Sequence, residues 1–430
     1  MANEQIRAEV LEVAQAAKHA SAELGQKSLD ERNRALLAMA AALRAHTAEI
    51  VAANVQDMDA AREVGTKESL LDRLMLDDAR VESMASALED LVALPDPLGE
   101  VQEERELYNG MQLKRMSVPL GVVAVVYEAR PNVTADAAGI CLKAGNACVL
   151  RGGSMAAASN AAISRVLHDA AVEVGMPKGC IGSIASTDRA ATDELMQLHG
   201  TVDVLIPRGG AGLIRHCVEC SKVPVIETGT GNCHVYVHES ADLAKAEAIV
   251  LNAKCRRYGV CNAAETLLVD RVIADDFLPS ALAALAQRGV VLHCDGIAYG
   301  IAEKLAESGA DVTFDHADES DWETEYLAPE IAVKCVSGVD DAIAHINHYG
   351  THHSEAIVAQ DETAIERFLA RVDAAAVYAN ASTAFTDGGQ FGMGAEIGIS
   401  TQKLHARGPF ALKALTSYKY VLRGDGQVRA

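Results

Sequence analysis

The chain has 430 residues, enough for two or three domains. Half of the residues are hydrophobic but only 4% are aromatic, a composition suited to helices that pack closely on a sheet. The net charge of -22 excludes a general attraction to nucleic acid or to anionic membranes. A small anionic ligand is not excluded, because it needs only a local basic pocket.

The first hundred residues predict a helical layer. Residues 3–24 and 29–53 repeat Ala and Leu at three- and four-residue spacing with charges between them. The start of the chain shows no secretory signal pattern, and the most apolar stretch, Val118 to Tyr127, is too short to span a bilayer. These features predict a cytoplasmic protein with no membrane partner.

From about Leu113 onward, apolar strands alternate with helices. The first group of predicted strands lies in MSVPLGVVAVVYE (a pair), NACVLRGGS, GCIGSIAS, TVDVLIPRGG and KVPVIETG. After Cys261 the alternation resumes with AAETLLVD, GVVLHCDG, APEIAVKCV and EAIVAQ, and the tail ends in the strand-like SYKYVLRG. Such alternation implies right-handed crossovers and parallel sheets covered on both faces. The fold class is therefore α/β.

Two strand ends could bind a phosphate. The usual dinucleotide fingerprint GxGxxG is absent, but Arg151–Ser154 and Arg208–Ala211 each join a strand to a helix through paired glycines. Each turn could direct backbone N–H groups at an anion, with an arginine beside them. The alternative is that the glycines merely form tight turns.

The ten cysteines form no dense framework, which favours reduced thiols. Cys217 and Cys220 form a CxxC without a second pair at metal-ligand spacing, so no metal site is predicted. Six cysteines in apolar runs are predicted to be small core residues: Cys141, Cys148, Cys180, Cys233, Cys294 and Cys335.

Cys255 and Cys261 remain, close in sequence to Lys254, Arg256 and Arg257. Cations nearby favour the nucleophilic thiolate. Cys261 precedes a predicted strand, where a loop could present it to a cleft. From these residues alone, a catalytic role and simple packing both stay open.

Four long sequence segments resemble those of one protein family. They are YEARPNVTADAAGICLKAGNACVLRGGS, VPVIETGTGNCHVYVHE, YGVCNAAETLLVD and QFGMGAEIGISTQKLHARGPFALKALTSYKYV. The chain resembles the glutamate-5-semialdehyde dehydrogenases, also called gamma-glutamyl phosphate reductases, of the aldehyde dehydrogenase superfamily. That superfamily uses a thiol nucleophile and a nicotinamide cofactor without the usual glycine fingerprint. Tyr258 is a departure, since the family often has Pro there.

The resemblance implies NADPH-dependent reduction of L-glutamyl 5-phosphate to L-glutamate 5-semialdehyde, the second step of proline biosynthesis from glutamate. Cys261 would form the thioester, and Asn132 would stabilise the negative oxygen; for Asn132 the alternative is a helix cap. Glu227 falls where hydrolytic relatives keep a water-activating glutamate, and no such role is assigned to it here.

The resemblance also implies sets of binding residues. For the cofactor NADPH these are Arg151, Gly152, Arg208, Gly209, Gly210 and Glu325. For the substrate the candidates are Arg256, Arg257, His353, Ser354, Lys403 and Arg407. The nearest rival function is a thiol-dependent aldehyde dehydrogenase that passes its acyl group to coenzyme A; a more distant rival is a catalytically silent nucleotide-binding protein.

The expected architecture has three parts. A doubly wound cofactor domain takes residues 1–105, 126–226 and 365–400, and a smaller α/β catalytic domain takes 227–364. Residues 106–125 and 401–430 form a β-ribbon flap and tail that would mediate assembly of a homodimer or higher homo-oligomer. The active site is expected between the two domains, and the substrate could be handed over by glutamate 5-kinase.

Overall fold

Five helices occupy the first hundred residues in the computed structural model of the chain, which describes residues 2–429. They are α1 (Ala2–Leu24), α2 (Leu29–Ala45), α3 (Thr47–Glu63), α4 (Glu68–Leu74) and α5 (Asp78–Ala93). The sequence predicts that this segment is helical but not the number of helices. The start of α2 is set by Ser28 and Glu31, whose side chains and backbone amides bond reciprocally.

The chain divides into two units. Unit 1 comprises Met1–Thr228, Gly392–Gly398 and Phe410–Ala430. Unit 2 comprises Gly229–Phe391 and Ile399–Pro409. Both contain parallel sheets with helices, so the predicted α/β class is confirmed.

The parallel sheet of unit 1 has the order β5-β4-β3-β6. Its strands are β3 (Val122–Tyr127), β4 (Ala147–Gly152), β5 (Ile181–Ser183) and β6 (Val204–Arg208), and its helices are α6 (Asn132–Lys143), α7 (Ala157–Glu173), α8 (Arg189–Met196) and α9 (Ala211–Cys220). All six residues of β3 are buried, as expected for a central strand covered on both faces. Strand order reverses between β3 and β6, a position where such sheets bind ligands.

An antiparallel sheet in unit 1 takes the place of the predicted ribbon. It contains β1 (Val101–Glu106), β2 (Gln112–Pro119) and β16 (Thr416–Arg423), with β2 in the centre. The pairing of β2 with the tail strand was predicted. The prediction missed β1, because the sequence VQEERE has no apolar alternation, and it wrongly assigned residues 122–125 to the ribbon, since they belong to β3.

Unit 2 has a seven-stranded parallel sheet in the order β10-β9-β11-β8-β7-β12-β13. The strands are β7 (Cys233–Val237), β8 (Ala264–Asp270), β9 (Val291–Cys294), β10 (Phe314–His316), β11 (Glu330–Val336), β12 (Ser354–Val358) and β13 (Ala376–Ala379). The helices are α10 (Leu243–Cys255), α11 (Ala274–Ala286), α12 (Gly296–Glu307), α13 (Val339–Tyr349) and α14 (Glu362–Arg371). A short pair, β14 (Gly398–Ser400) and β15 (Gly408–Phe410), completes the tail.

Two sequence predictions differ from this arrangement. Residues 365–391 were expected with the cofactor domain but lie in unit 2, because β13 pairs with β12 and α14 contacts α13. The segment KVPVIETG was predicted as a strand, but it contributes only the isolated bridge from Leu205 to Val225. Periodicity cannot distinguish an extended segment from a fully paired strand.

The described residues contain no single helix with the length and apolarity to cross a bilayer, although the bent pair α2 and α3 meets those two criteria together. Across residues 2–429 there is also no group of three or more His, Cys, Asp or Glu placed to hold a metal ion. All six cysteines predicted to be core residues are buried.

Candidate active site

Cys261 lies in the loop between α10 and β8, at the amino end of β8. The segments that precede β7 and β12 reach the same edge of the sheet, because β7 is hydrogen-bonded to both β8 and β12. Cys261 is partly exposed. Unlike the usual α/β ligand site at the carboxyl ends of strands, this one is built at the amino ends.

Gly231, two residues before β7, makes the closest approach to Cys261. A Cβ atom at Gly231 would lie 1.6 Å from the carbonyl oxygen of Cys261 and 2.6 Å from its Cα. The backbone N–H of Gly231 donates to Oε1 of Glu325 at 2.7 Å. Only glycine fits between these neighbours, so Gly231 and Glu325 together support the loop that carries the thiol.

Cys233 supports the same loop from β7. Its thiol donates to the carbonyl oxygen of Cys261, with 3.1 Å between Sγ and O. Burial raises the pKa of Cys233 well above its usual range, which keeps the thiol protonated as a donor. Cys233 was predicted to be a core residue, and nothing in its local sequence indicates its hydrogen bond to Cys261.

Asn262 fixes the other side of the loop. Its side-chain amide donates to the carbonyl oxygen of Thr386 at 3.0 Å, and its own carbonyl accepts from the hydroxyl of Thr383 at 2.8 Å. Asn262 is separated from these residues by more than 120 positions, so sequence reasoning missed it. The residue next to the thiol is therefore held by two hydrogen bonds to the segment that follows β13.

His353 and Ser354 were predicted to bind substrate, but both are fully buried. Nδ1 of His353 lies 2.8 Å from Oγ of Ser354, which donates to the Thr386 hydroxyl at 2.6 Å. Burial lowers the pKa of His353 to about 4, so the ring is neutral. In this structure the two side chains form part of the buried support, and contact with a substrate would require them to rearrange.

Lys254 was predicted to be one of the cations near the thiol. Instead its ammonium is fully buried and pairs with the carboxylate of Glu265. Burial lowers the pKa of Lys254 and raises that of Glu265 to about 7. The pair joins the end of α10 to β8 and so closes the loop between them, rather than presenting charge to Cys261.

Removing one member of this pair should destabilise the fold. Lys254→Met should lower the free energy of unfolding at pH 8 by about 3 kcal/mol, because Glu265 then stays buried without its partner. Urea denaturation measures this, and Lys254→Met/Glu265→Leu should recover most of the loss. Equal stability of Lys254→Met and wild type would contradict the assignment.

The pH dependence of Lys254→Met follows from Glu265. The folded pKa of this carboxyl, about 7, lies above its ordinary value of 4.5. Such a group favours the folded state below about pH 4.5, and that contribution is lost as the pH rises through 7. Lys254→Met should therefore lose stability between pH 5 and pH 8 more steeply than wild type.

Arg256 and Arg257 are exposed on the same loop. Within the described part of the chain, neither guanidinium has a hydrogen-bond or ion-pair partner. Tyr258 is partly buried, and its hydroxyl donates to the carbonyl of Arg288 at 3.3 Å. A tyrosine at this position thus anchors the loop to the end of α11.

Lys403 and Arg407 both bind Asp373. The Nζ of Lys403 lies 2.5 Å from Asp373 Oδ2, and a terminal nitrogen of Arg407 lies 2.8 Å from Oδ1. Lys403 and then Arg407 lower the pKa of Asp373 to about 2. Both predicted substrate ligands are therefore committed to an ion pair within unit 2.

In unit 1, Glu128 lies at the end of β3, between the two glycine turns. A Cβ at Gly153 would lie 3.1 Å from its Cα, and one at Gly209 would lie 2.6 Å from its carboxyl carbon. Its Oε2 accepts the backbone N–H of Gly210 at 2.9 Å, just before α9. A carboxylate thus occupies the turn predicted to bind phosphate.

The two arginines beside these turns, Arg151 and Arg208, differ in their positions and contacts. Arg151 is buried, and its guanidinium donates to the carbonyl oxygens of Thr187 and Asp188 at 2.8 and 2.9 Å. Burial lowers its pKa. Arg208 ends β6 opposite Tyr127, at the reversal of strand order. Arg151 therefore has a structural role whether or not it also meets the cofactor.

Asn132 begins α6 and is exposed. Its side-chain amide donates to Oδ2 of Asp136, one turn along, at 3.0 Å. Burial raises the pKa of Asp136 to about 6. An amide carries two N–H groups, and this hydrogen bond fixes the orientation of the group while using one of them.

Comparison with known proteins identifies the family of this chain. The sequence profile of the aldehyde dehydrogenase family matches residues 2–294. The chain is 53% identical to the gamma-glutamyl phosphate reductase of Moorella thermoacetica, over 98% of this chain and 99% of that protein. It is 51% identical to that of Thermobifida fusca, over 99% of each.

Solved structures show the same similarity. The crystal structure of gamma-glutamyl phosphate reductase from Thermotoga maritima matches with a TM-score of 0.93 and 45% identity, covering 98% of this chain and 100% of that one. An acetylating aldehyde dehydrogenase from Geobacillus thermoglucosidasius has the same fold, with a TM-score of 0.71 and 23% identity over 100% and 99% of the two chains.

Proposed function

We propose that this chain, which belongs to the aldehyde dehydrogenase family, reduces L-glutamyl 5-phosphate to L-glutamate 5-semialdehyde and releases phosphate. The observation that carries the proposal is the near full-length similarity to gamma-glutamyl phosphate reductases, together with a loop built around one cysteine. The reaction is the second step of proline biosynthesis from glutamate.

In the proposed mechanism, the thiolate of Cys261 attacks the carbonyl carbon of the acyl phosphate. The carbon–oxygen bond to phosphate breaks, phosphate leaves, and a thioester remains on Cys261. When bound, the nicotinamide cofactor supplies the hydride that reduces the thioester carbonyl. The resulting hemithioacetal oxygen re-forms a carbonyl as the sulfur leaves, which yields the aldehyde and restores the thiolate.

Negative charge develops on the substrate oxygen in both steps, so oriented N–H donors are needed. We assign this role to the side-chain amide of Asn132 and to the backbone N–H of Cys261. Asp136 holds one N–H of the Asn132 amide and leaves the second to donate. The hydrogen bonds from Cys233 and Asn262 limit motion of the Cys261 backbone.

The cofactor is assigned to unit 1, at the reversal of strand order between β3 and β6. The amides of Gly209 and Gly210 would bind its phosphates, and Gly152 would let it approach the end of β4. A preference for NADPH would come from Arg151 or Arg208. The carboxylate of Glu325, which accepts the backbone N–H of Gly231, is assigned to the ribose hydroxyls.

Neutralising Glu128 should strengthen cofactor binding. The Glu128→Gln amide can still accept the N–H of Gly210, but it removes a negative charge from the turn assigned to phosphate. We expect the Kd for NADPH to fall about 2- to 5-fold, the size of a charge effect at a helix terminus. Fluorescence titration of NADPH measures it. Glu219→Gln, at the far end of α9, should leave Kd unchanged, and weaker binding by Glu128→Gln would contradict the assignment.

The decisive assay runs the reaction in reverse. Purified protein with glutamate semialdehyde, NADP and phosphate should form NADPH at a rate that depends on phosphate. Turnover that requires coenzyme A and ignores phosphate would replace this function with the acyl-coenzyme A alternative. The absence of turnover with either acceptor, together with retained NADPH binding, would favour the silent nucleotide-binding protein.

We also propose a cytoplasmic homo-oligomer, with the β1-β2-β16 sheet as the interface. The face of β16 carries exposed Tyr418, Tyr420 and Leu422, an apolar content suited to a partner surface. Transfer of the reactive acyl phosphate from glutamate 5-kinase would fit this function. Sedimentation analysis with and without the kinase tests both proposals.

A further inference from the structure

An open cavity of about 330 Å³ lies within unit 2, on the side of the loop that holds Arg256. It is lined by Asn252, Arg256, Ala384, Phe385, Asp387 and Gln390. None of these residues except Arg256 was singled out by the sequence. Their chemical groups are one cation, one anion, two amides and one aromatic ring.

The polar groups of this cavity have unused hydrogen-bonding capacity. The guanidinium of Arg256 and the side-chain amides of Asn252 and Gln390 have no hydrogen-bond partner among residues 2–429. Asp387 uses Oδ1 to accept the backbone N–H groups of Gly389 and Gln390 at 2.9 and 3.2 Å. These two bonds limit the motion of the carboxylate, and both use the same oxygen.

The cavity is tied to the nucleophile through Asn262. The side chain of Asn262, the residue after Cys261, donates to the carbonyl oxygens of Ala384 and Thr386, on either side of Phe385. Arg256 lies five residues before Cys261 on the same loop. The wall of the cavity is therefore connected by hydrogen bonds to the residue next to the thiol.

We propose that this cavity binds the α-amino acid end of the substrate. Arg256 pairs with the α-carboxylate, Asp387 accepts the α-ammonium, and Phe385, which is 50% exposed, covers the methylene chain. The assignment rests on the proposed function, in which the other end of the same molecule reacts at Cys261.

Charge balance favours this ligand over the substrate's phosphate. One guanidinium and one carboxylate give the cavity no net charge, which complements a zwitterionic amino acid head. A phosphate dianion at Arg256 would be repelled by Asp387. The two amides add donors and acceptors that suit carboxylate and ammonium equally.

The test is direct binding, measured by calorimetry with L-glutamate and with glutarate, which lacks the amino group. Wild type should bind L-glutamate more tightly than glutarate. Asp387→Asn should weaken L-glutamate binding about 10- to 100-fold, because recognition of the ammonium is lost, and should leave glutarate binding unchanged or slightly stronger, because a repelling charge is removed. Arg256→Gln should weaken both ligands by a similar factor.

Two control variants and the results that would contradict the proposal complete this test. Asp311→Asn and Arg271→Gln change exposed charges of unit 2 outside the cavity and should bind like wild type, and thermal melting checks that every variant is folded. Wild-type affinity of Asp387→Asn for L-glutamate, or equal binding of both ligands by wild type, would overturn the proposal. Failure of the phosphate-dependent assay with retained, Asp387-dependent L-glutamate binding would instead reject the proposed reaction and keep this site.

Discussion

Replacing Cys261 by serine should lower kcat for phosphate-dependent oxidation of glutamate semialdehyde by about 10⁴-fold or more. A serine hydroxyl is far less acidic and less nucleophilic at neutral pH than a thiol, which readily forms the nucleophilic thiolate. The Kd for NADPH should not change, because Cys261 is not among the residues assigned to the cofactor. Steady-state kinetics and fluorescence titration measure the two quantities.

The matched control is Cys220→Ser, which changes an exposed thiol at the end of α9. It should retain wild-type kinetics. A Cys261→Ser protein with activity within tenfold of wild type would reject the thioester mechanism. Trace alkylation adds a second check, since glutamate semialdehyde should protect one cysteine above all others.

Gly231→Ala should lower turnover by about 10²- to 10³-fold. The new Cβ would lie 1.6 Å from the Cys261 carbonyl oxygen, so the backbone must move by more than an ångström. A misplacement of that size at a reacting group costs about 10²-fold. The overpacking should also lower the free energy of unfolding by about 1–3 kcal/mol.

Gly300→Ala is the control for this substitution. Gly300 lies on α12, where an added Cβ has no neighbour within 4 Å, so the change should be neutral or slightly stabilising. The rate of Cys261 alkylation by iodoacetamide reports the loop directly. Wild-type turnover and alkylation in Gly231→Ala would show that the loop tolerates displacement, and would remove the basis for the assigned role.

Strand and helix alternation was predictable because it is encoded in local periodicity. The helical character of the first hundred residues, the central strands and the tail strand follow from patterns that span ten to twenty residues. The choice of Cys261 as the candidate nucleophile depends on the string YGVCNAAETLLVD, since residue chemistry alone does not distinguish it among ten cysteines. The charged strand β1 was missed for the opposite reason, because it lacks such a pattern.

The support of the candidate site was not predictable. Gly231 and Cys261 are 30 residues apart, and Asn262 meets Thr386 across 124 positions. The order of the strands in the sheet determines which of these residues come into contact, and no local sequence pattern encodes that order. The same holds for residues 365–391, whose helix and strand could pack on either predicted sheet.

Burial produced the clearest corrections. His353 and Ser354 were predicted to bind substrate and Lys254 to be a cation near the thiol, yet all three are fully buried with internal partners. Sequence by itself determined the α/β class and the family, since both depend on local order along the chain, and it predicts Cys261 as the nucleophile. Only the tertiary structure decided which polar groups face a ligand and which hold the loop, because burial and pairing depend on segments that are distant in sequence and adjacent in the sheet.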